Sequence, residues 1–350
     1  MPDAPPVTET VKDVETEKEI EIRYAPELDR ISASIEAFAD GKCSHVAVIS
    51  DPFAGQAVLI DEIRKRYGDR IFYFSFESVV SRKDFIATIR RQREKDIIII
   101  DRCHFLALRR IGGFDLLDEF LHLLTSSRKL FVTTWNSYTW SYLDSVRNIS
   151  AYFPEVIHLP QMDVPMLKSI ILGQYSGEIQ FVDDTPRVEK RFISVTWKEA
   201  EILKRTVRYP YFGIHPEYLG RSAGTYDSVA AEDIIFRRIQ KISEGNLGIA
   251  LKIWENSFSY PHIRASSIPD AQCIIDLTVN EAFLLLIILS MDSIHTDDLR
   301  EIAGPEMEIE KVLYRLHNLG LVEEKDGLYT VQPEALNCSA VYLKRMRMVW

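Results

Sequence analysis

The sequence predicts an α/β protein: a parallel sheet between helices, then a helical segment, then a small α+β unit at the C-terminus. Three observations predict it. Four consecutive isoleucines, at positions 97–100, end in Asp101. A β-branched run of that length is a strand buried on both faces, as strands of parallel sheets are. From residue 26 to residue 160, strand-length apolar runs alternate with helical patterns, the rhythm of βαβ units. After residue 276, three helical patterns precede two short strand patterns around Asp326 and Gly327, a dipeptide suited to a tight hairpin turn.

Residues 1–24 are rich in Pro, Thr, Glu, Asp and Lys with few large apolar groups, and are expected to be a disordered acidic tail. Residues 27–39 place Leu28, Ile31, Ile35 and Phe38 on one side of a helix. Val46, Val48 and Ile49 make a strand, residues 50–55 a turn, and Ala57, Val58, Leu59, Ile60 and Ile63 the apolar side of a second helix. Residues 70–76 read as a strand and 85–95 as a charged surface helix of about three turns. The isoleucine strand follows, then a helix with Phe114, Leu116, Leu117, Phe120 and Leu123. A strand at 130–135, a helix at 138–146 and a strand at 156–159 complete an α/β domain over residues 25–160.

Residues 161–275 read as a helical lid with a mixed insertion. Helices are expected at 164–175 and 229–243, and a glycine turn at 244–248 precedes a helix reaching Trp254. Within the insertion, 176–227, strands are expected at 179–182 and 192–197. Its aromatic cluster, Tyr209, Tyr211, Phe212 and Tyr218, is interleaved with Pro210, Gly213 and Pro216 and reads as the packing of a loop-rich subdomain in preference to a binding surface. Residues 276–350 form the last domain. Its helices are 279–289, 297–303 with Thr296 as N-cap, and 308–318 with Ile309, Val312, Leu313 and Leu316 facing in. Gly320 suits a helix end, and 321–324 with 328–331 make a two-stranded wing.

With 350 residues, 46% hydrophobic and 27% charged, the chain suits a folded protein of two or three domains. Its net charge of −10 weighs against a general nucleic-acid binder. Cys43, Cys103, Cys273 and Cys338 lie far apart with no C-x-x-C pair, so they read as buried reduced thiols and not as a zinc or redox motif. His45, His104, His122 and His158 have no motif partner and read as structural. No signal-peptide pattern opens the chain. The longest apolar run, 282–289, is too short to span a bilayer. A cytoplasmic protein without membrane association is expected.

The chemistry concentrates in residues 42–63, KCSHVAVISDPFAGQAVLIDEI. They stand where the P-loop pattern G-x-x-x-x-G-K-[ST] joins a strand to a helix. Ser50 takes the first glycine position, Gly55 the second, Gln56 the lysine position and Ala57 the Ser/Thr position. The lysine would bring positive charge to the phosphates and the hydroxyl would ligate Mg²⁺; Gln56 and Ala57 supply neither. Backbone N–H groups and the helix N-terminus still favour an anion, whereas Asp51 puts a carboxylate in the same turn. The stretch also reads as an ordinary βα turn. Asp101, 46 residues after Gly55, ends its strand where P-loop NTPases hold Mg²⁺, and it also reads as a turn cap. Arg102 follows and cannot act as a base. Thr133, Thr134 and Asn136 end the next strand.

The turn DPFAG before AVLIDEI, the strand IIIID, the strand LFVTTWN, the turn-helix GNLGIALKIW and the terminal winged-helix pattern occur in one order. In that order the chain, from residue 26 onward, resembles the AAA+ and STAND P-loop ATPases, particularly archaeal members related to replication initiators and NB-ARC-like proteins. The resemblance implies a P-loop NTPase-like domain, a helical lid and a winged helix. It implies ATP or ADP with Mg²⁺ as cofactors, with Ser50, Asp51, Gly55, Gln56, Ala57, Asp101 and Asn136 around the nucleotide and Asp101 on the metal. The GNLGIAL region looks like the lid helix, but Gly248 stands where initiators commonly place an arginine and Leu247 where STAND proteins often place a proline.

With the conventional groups missing, no catalytic residue is assigned and hydrolysis is expected to be impaired. The expected role is regulatory or scaffolding, with a protein partner or self-assembly. One alternative is an initiator-type DNA-binding winged-helix ATPase. Another is an active ATPase with a non-standard P-loop, in which Arg102, Arg109 or Arg110 replaces the lysine charge. Charge disfavours DNA: residues 276–350 carry thirteen acidic and seven basic residues, a balance of −6. Glu306, Glu308 and Glu310 open the third helix, which usually enters the groove. Lys344, Arg345 and Arg347 form a small basic tail.

Overall fold

A computed structural model of the chain describes residues 24–79, 82, 84–184, 193–202, 205–214, 230–269 and 275–349, with backbone alone for 193–202 and 205–214. The first ten elements alternate as α1 (Ala25–Ala39), β1 (Val46–Ser50), α2 (Gln56–Tyr67), β2 (Ile71–Ser75), α3 (Phe85–Arg91), β3 (Ile97–Asp101), α4 (Asp115–Ser126), β4 (Leu130–Asn136), α5 (Ser137–Arg147) and β5 (Glu155–His158). Their five strands form one parallel sheet in the order β2-β3-β4-β1-β5. Ile97, Ile98, Ile99 and Ile100 are wholly buried, and every residue of β1 and β4 is buried. Helices therefore cover both faces, which is what the unbroken apolar runs require. This is the P-loop NTPase-like sheet that the sequence predicts.

In such a sheet, ligands sit outside the carboxyl ends of the strands. Register puts Ser50 of β1 beside Asn136 of β4, and Ser75 of β2 beside Asp101 of β3. The functional candidates thus share one edge.

Several expectations need correction. Tyr24 is not part of a tail: it is 2% exposed and packs with the core. The rest of the expected tail lies outside the described residues. Helix α3 ends at Arg91, four residues short, and buries Phe85, Ile86 and Ile89. Cys43 is exposed, whereas Cys103 is buried and Cys338 lies between these extremes; Cys273 lies outside the described residues.

The lid comprises α6 (Val164–Gly173), α7 (Ala231–Ser243) and α8 (Leu247–Ser257), with a small sheet of β6 (Gln180–Val182), β10 (His262–Arg264) and β9 (Phe258–Ser259). Between them, β7 (Ile193–Ile202) and β8 (Arg205–Ile214) pair antiparallel over ten residue pairs. Tyr209, Tyr211 and Phe212 therefore lie on a strand and not in a loop; Tyr218 lies outside the described residues.

The C-terminal unit is α9 (Val279–Met291), β11 (Ser293–His295), α10 (Thr296–Ala303), α11 (Ile309–Asn318), β12 (Val322–Lys325), β13 (Leu328–Val331) and α12 (Leu336–Arg345). Its sheet has the order β11-β13-β12 and is antiparallel. Helix α9 is its hub, buried almost all round. A capping box starts it: Thr278 accepts from the Glu281 N–H while the Glu281 carboxylate accepts from the Thr278 N–H. Thr296 is not a cap but the first residue of α10, with His295 at the cap position. Asp326 and Gly327 both take positive φ, 55° and 78°, as a type I′ hairpin turn demands. Among the described residues, no helix is long and apolar enough to cross a membrane.

Candidate functional site

Strand β1 delivers Ser50 to the carboxyl edge, and the chain then turns through residues 51–55. Gly55 takes φ 84° and Phe53 φ 68°; glycine meets no steric cost there, whereas Phe53 does. The Ser50 hydroxyl donates to Gln56 Oε1, folding that amide back on its own strand. The Ser137 hydroxyl donates to the Asp51 carboxylate. Ala57 is exposed and presents only a methyl group.

Three successive carbonyls of the turn are taken by protein donors. Asn246 Nδ2 donates to Pro52 O at 2.7 Å, the Gly248 N–H to Phe53 O at 3.0 Å, and the Tyr24 hydroxyl to Ala54 O at 2.7 Å. Asn246 is also the N-cap of α8, accepting from the Ile249 N–H at 3.3 Å. One side chain thus starts the lid helix and pins the turn to it. Gly248 lies so close that a Cβ would stand 2.4 Å from Phe53 O. That close approach is why position 248 takes a glycine. Sequence reasoning missed Asn246, although an Asn directly before a helical pattern is a cap signal.

What remains between Tyr24, Asp51, Ala54, Leu159, Gln161 and Leu247 is a cavity of about 20 Å³, room for about one water molecule. A larger polar cavity, about 220 Å³, lies beside it among Asp51, Tyr138, Glu244, Asn337 and Lys344. Burial, followed by the nearby carboxylates of Asp51, Glu244 and Asp292, pushes the Tyr138 phenol well above its usual range, so it stays neutral.

Asp101 accepts three hydroxyls: Thr134 at 2.5 Å on Oδ1, and Tyr73 at 3.2 Å and Ser75 at 3.4 Å on Oδ2. Thr134 in turn accepts from the Arg102 N–H at 2.8 Å. Thr133 is an interior residue, donating to Val46 O at 3.1 Å and accepting from Trp135 Nε1 at 2.8 Å. Asn136 is the N-cap of α5, accepting from the N–H groups of Tyr138 at 2.8 Å and Thr139 at 3.2 Å. Its Nδ2 donates to Leu289 O at 2.9 Å and to the Asp292 carboxylate.

The three arginines considered as lysine substitutes are engaged elsewhere. Arg102 reaches Ser293 at 2.6 Å, Arg109 lies 3.9 Å from the centre of the Tyr142 ring, and Arg110 pairs with Glu301 at 2.7 Å. His45 links Leu124 O at 3.1 Å and the Phe131 N–H at 3.3 Å, a structural role. Among the described residues, no three His, Cys, Asp or Glu side chains are gathered so as to hold a metal.

As arranged, these residues do not fit a magnesium nucleotide. Against the turn there is room for about one water, the turn carries a carboxylate and no cation, and the amide at the lysine position is turned back on Ser50.

No protein-family model matches the chain, and no curated protein matches it. Among solved structures it is similar to the RuvB Holliday junction branch migration motor of Thermotoga maritima, at 14% identity over 91% of this chain and 92% of that one, TM-score 0.39. It is similar to Cdc6p of Pyrobaculum aerophilum at 14% identity over 93% and 94%, TM-score 0.40. It is similar to the Orc1 protein of Aeropyrum pernix in complex with DNA at 14% identity over 91% and 94%, TM-score 0.38. Likeness at this level says nothing of individual residues, and the fold stands on the chain's own sheet order.

Proposed function

We propose that this chain is a regulatory or scaffolding protein of the archaeal AAA+/STAND type, cytoplasmic, with hydrolysis impaired and a protein partner or a second copy as its target. Its working parts are an α/β domain over 25–160, a lid over 161–275 and a winged helix over 276–350. The observation that carries this reading is the closed cleft. The three carbonyls of the turn are spent on Asn246, Gly248 and Tyr24, and about 20 Å³ is left. Phosphoryl transfer rests on a lysine, Mg²⁺ and a positioned water, and Gln56, Ala57 and Arg102 supply none of these.

The winged helix is read as a protein-contact module. At the start of α11 Glu308, at its N-cap, pairs with Lys311 at 3.0 Å, and Glu310 is in contact with Arg300. Lys311 and Arg300 are thereby matched by carboxylates and not left free for phosphates. Tyr314, 71% exposed on the same helix, is the residue type enriched at protein interfaces. Calorimetric titration of the full chain with ATP and ADP, with and without Mg²⁺, tests the proposal. No saturable heat is expected. Micromolar binding that needs Mg²⁺, together with turnover lost in Asp101→Ala, would make the active-ATPase reading the better one.

A further inference from the structure

The carboxyl edge of the sheet is covered by the end of α9. The last carbonyls of any helix lack partners within it and need donors from outside. Here the donors come from the sheet edge. Asn136 Nδ2 donates to Leu289 O at 2.9 Å, the Thr139 hydroxyl to Ser290 O at 2.7 Å, and Arg102 to Met291 O at 3.5 Å and Ser293 Oγ at 2.6 Å.

Asp292 sits within this seam at φ 59°, ψ −54°, a conformation rare outside glycine. Its carboxylate is at the C-terminus of α9, where the helix dipole repels negative charge, and against Asn136 at the N-terminus of α5, where the dipole attracts it. Asp292 therefore costs its own helix and favours its neighbour. His104, wholly buried, faces the other carboxylate oxygen at 3.7 Å.

We propose that Asp292, as the carboxylate that accepts from the Asn136 amide at the start of α5, latches the C-terminal unit over the carboxyl edge of the sheet. The flank is held by two further contacts: the Val79 N–H donates to Asp298 at 3.2 Å and Arg110 pairs with Glu301 at 2.7 Å. The latch is a contact between two parts of the chain and is read without nucleotide, so it and the proposed function fail separately.

The test is a charge-reversal cycle in the full chain, read by amide hydrogen exchange over residues 134–142 and 286–295. Asn136→Asp keeps an N-cap acceptor but replaces the donor with a carboxylate facing Asp292. It is expected to speed exchange in both segments at least about tenfold, from the loss of the bonds to Leu289 O and to the charged Asp292, while α1 and α2 keep their rates. Adding Asp292→Asn returns the bond between the two positions but not the one to Leu289 O, and exchange in Asn136→Asp/Asp292→Asn is expected to fall back part of the way. Asp292→Lys is the second probe. A quarter of the Asp292 side chain remains accessible, so a longer chain has an exit, and its cation against the α5 N-terminus is expected to open the same segments. Unchanged exchange in Asn136→Asp and Asp292→Lys, or a double variant as open as Asn136→Asp, overturns the proposal.

Discussion

Two parts of the chain close on the same sheet edge, and they close by different physics. The lid closes on the turn after β1 through backbone carbonyls and one glycine, so its contact is a matter of shape: Asn246 and Gly248 meet Pro52 and Phe53 with no charged pair, while Tyr24, just before α1, holds Ala54. The C-terminal unit closes on the ends of β3 and β4 through charged and polar side chains, Arg102, His104, Asn136 and Asp292. A shape contact is indifferent to pH and fails when volume is added. A charged contact tolerates volume better and fails when a proton or a sign is changed. The substitutions that separate these two cases follow from the largest expected effect to the smallest.

Gly248→Ala breaks the lid contact. Its Cβ would lie 2.4 Å from Phe53 O and 2.8 Å from the Phe53 Cβ, so either the turn or the start of α8 must move. The expected cost is about 3 kcal/mol, the upper part of the range for overpacking, in urea unfolding of the full chain, with no dependence on pH between 5 and 8 as working conditions. A loss near zero would mean that the turn is loose and the lid is not seated on it.

The charged seam responds to pH, and its two titrating groups oppose each other. Burial, then the Arg102 charge, lowers the His104 pKa from 6.5 to about 3. The folded chain therefore resists a proton that the unfolded chain accepts, and stability falls as pH drops below 6.5. Burial raises the Asp292 pKa from 3.8 to about 6, against the bond from Asn136 and the Arg102 charge. The folded chain then accepts a proton that the unfolded chain declines, and stability rises as pH drops from about 6 toward 3.8. Arg102 and Asp101 are the other charged groups facing the pair. Linkage makes the two slopes nearly cancel between pH 6 and 4, so the wild-type midpoint in urea is expected to change little there. His104→Leu leaves Asp292 alone, and its stability is expected to rise as the pH is lowered through that window. Asp292→Asn leaves His104 alone, and its stability is expected to fall. Parallel profiles for the two variants would show that the pair does not titrate as a unit.

The same contrast governs what was legible in the sequence. Strands and their burial follow local rules, so the isoleucine run gave β3 and the position of Asp101 directly. The helix over 85–95 was overextended because the polar residues 92–95 continue a helical pattern, whereas the backbone leaves it at Gln92 to enter β3. Of the β7–β8 hairpin the first strand was legible in part, as the strand expected at 192–197, and the second was not: Pro210 argues against a strand interior, but a two-stranded sheet has only edges, where proline is tolerated. The lid contact was half visible, since Asn246 reads as a cap while its bond to Pro52 spans 194 residues. The seam joins positions 156 residues apart and has no local pattern. Its single trace is Asp292 directly after an apolar helix, a negative charge where the dipole prefers a positive one.

The smallest expected effect is also the most informative about the cleft. Gln56→Lys with Ala57→Thr restores the two missing signature groups of the P-loop. In an open cleft, a lysine on the β- and γ-phosphates and a hydroxyl on Mg²⁺ would tighten binding strongly. Here the added groups meet a turn whose carbonyls are already tied, two to the lid and one to Tyr24, a carboxylate at Asp51 and a cavity of about 20 Å³. A bound nucleotide would have to displace α8 first, and that displacement costs the same contacts that Gly248→Ala breaks. No gain in Mg-ATP binding is therefore expected from the double substitution alone, measured by calorimetry beside the wild type. Combining it with Gly248→Ala is expected to reveal binding, because the lid is then already lifted. Tight binding by the double variant with Gly248 intact would show that the lid opens freely and that chemistry, not closure, keeps the wild-type cleft from its nucleotide.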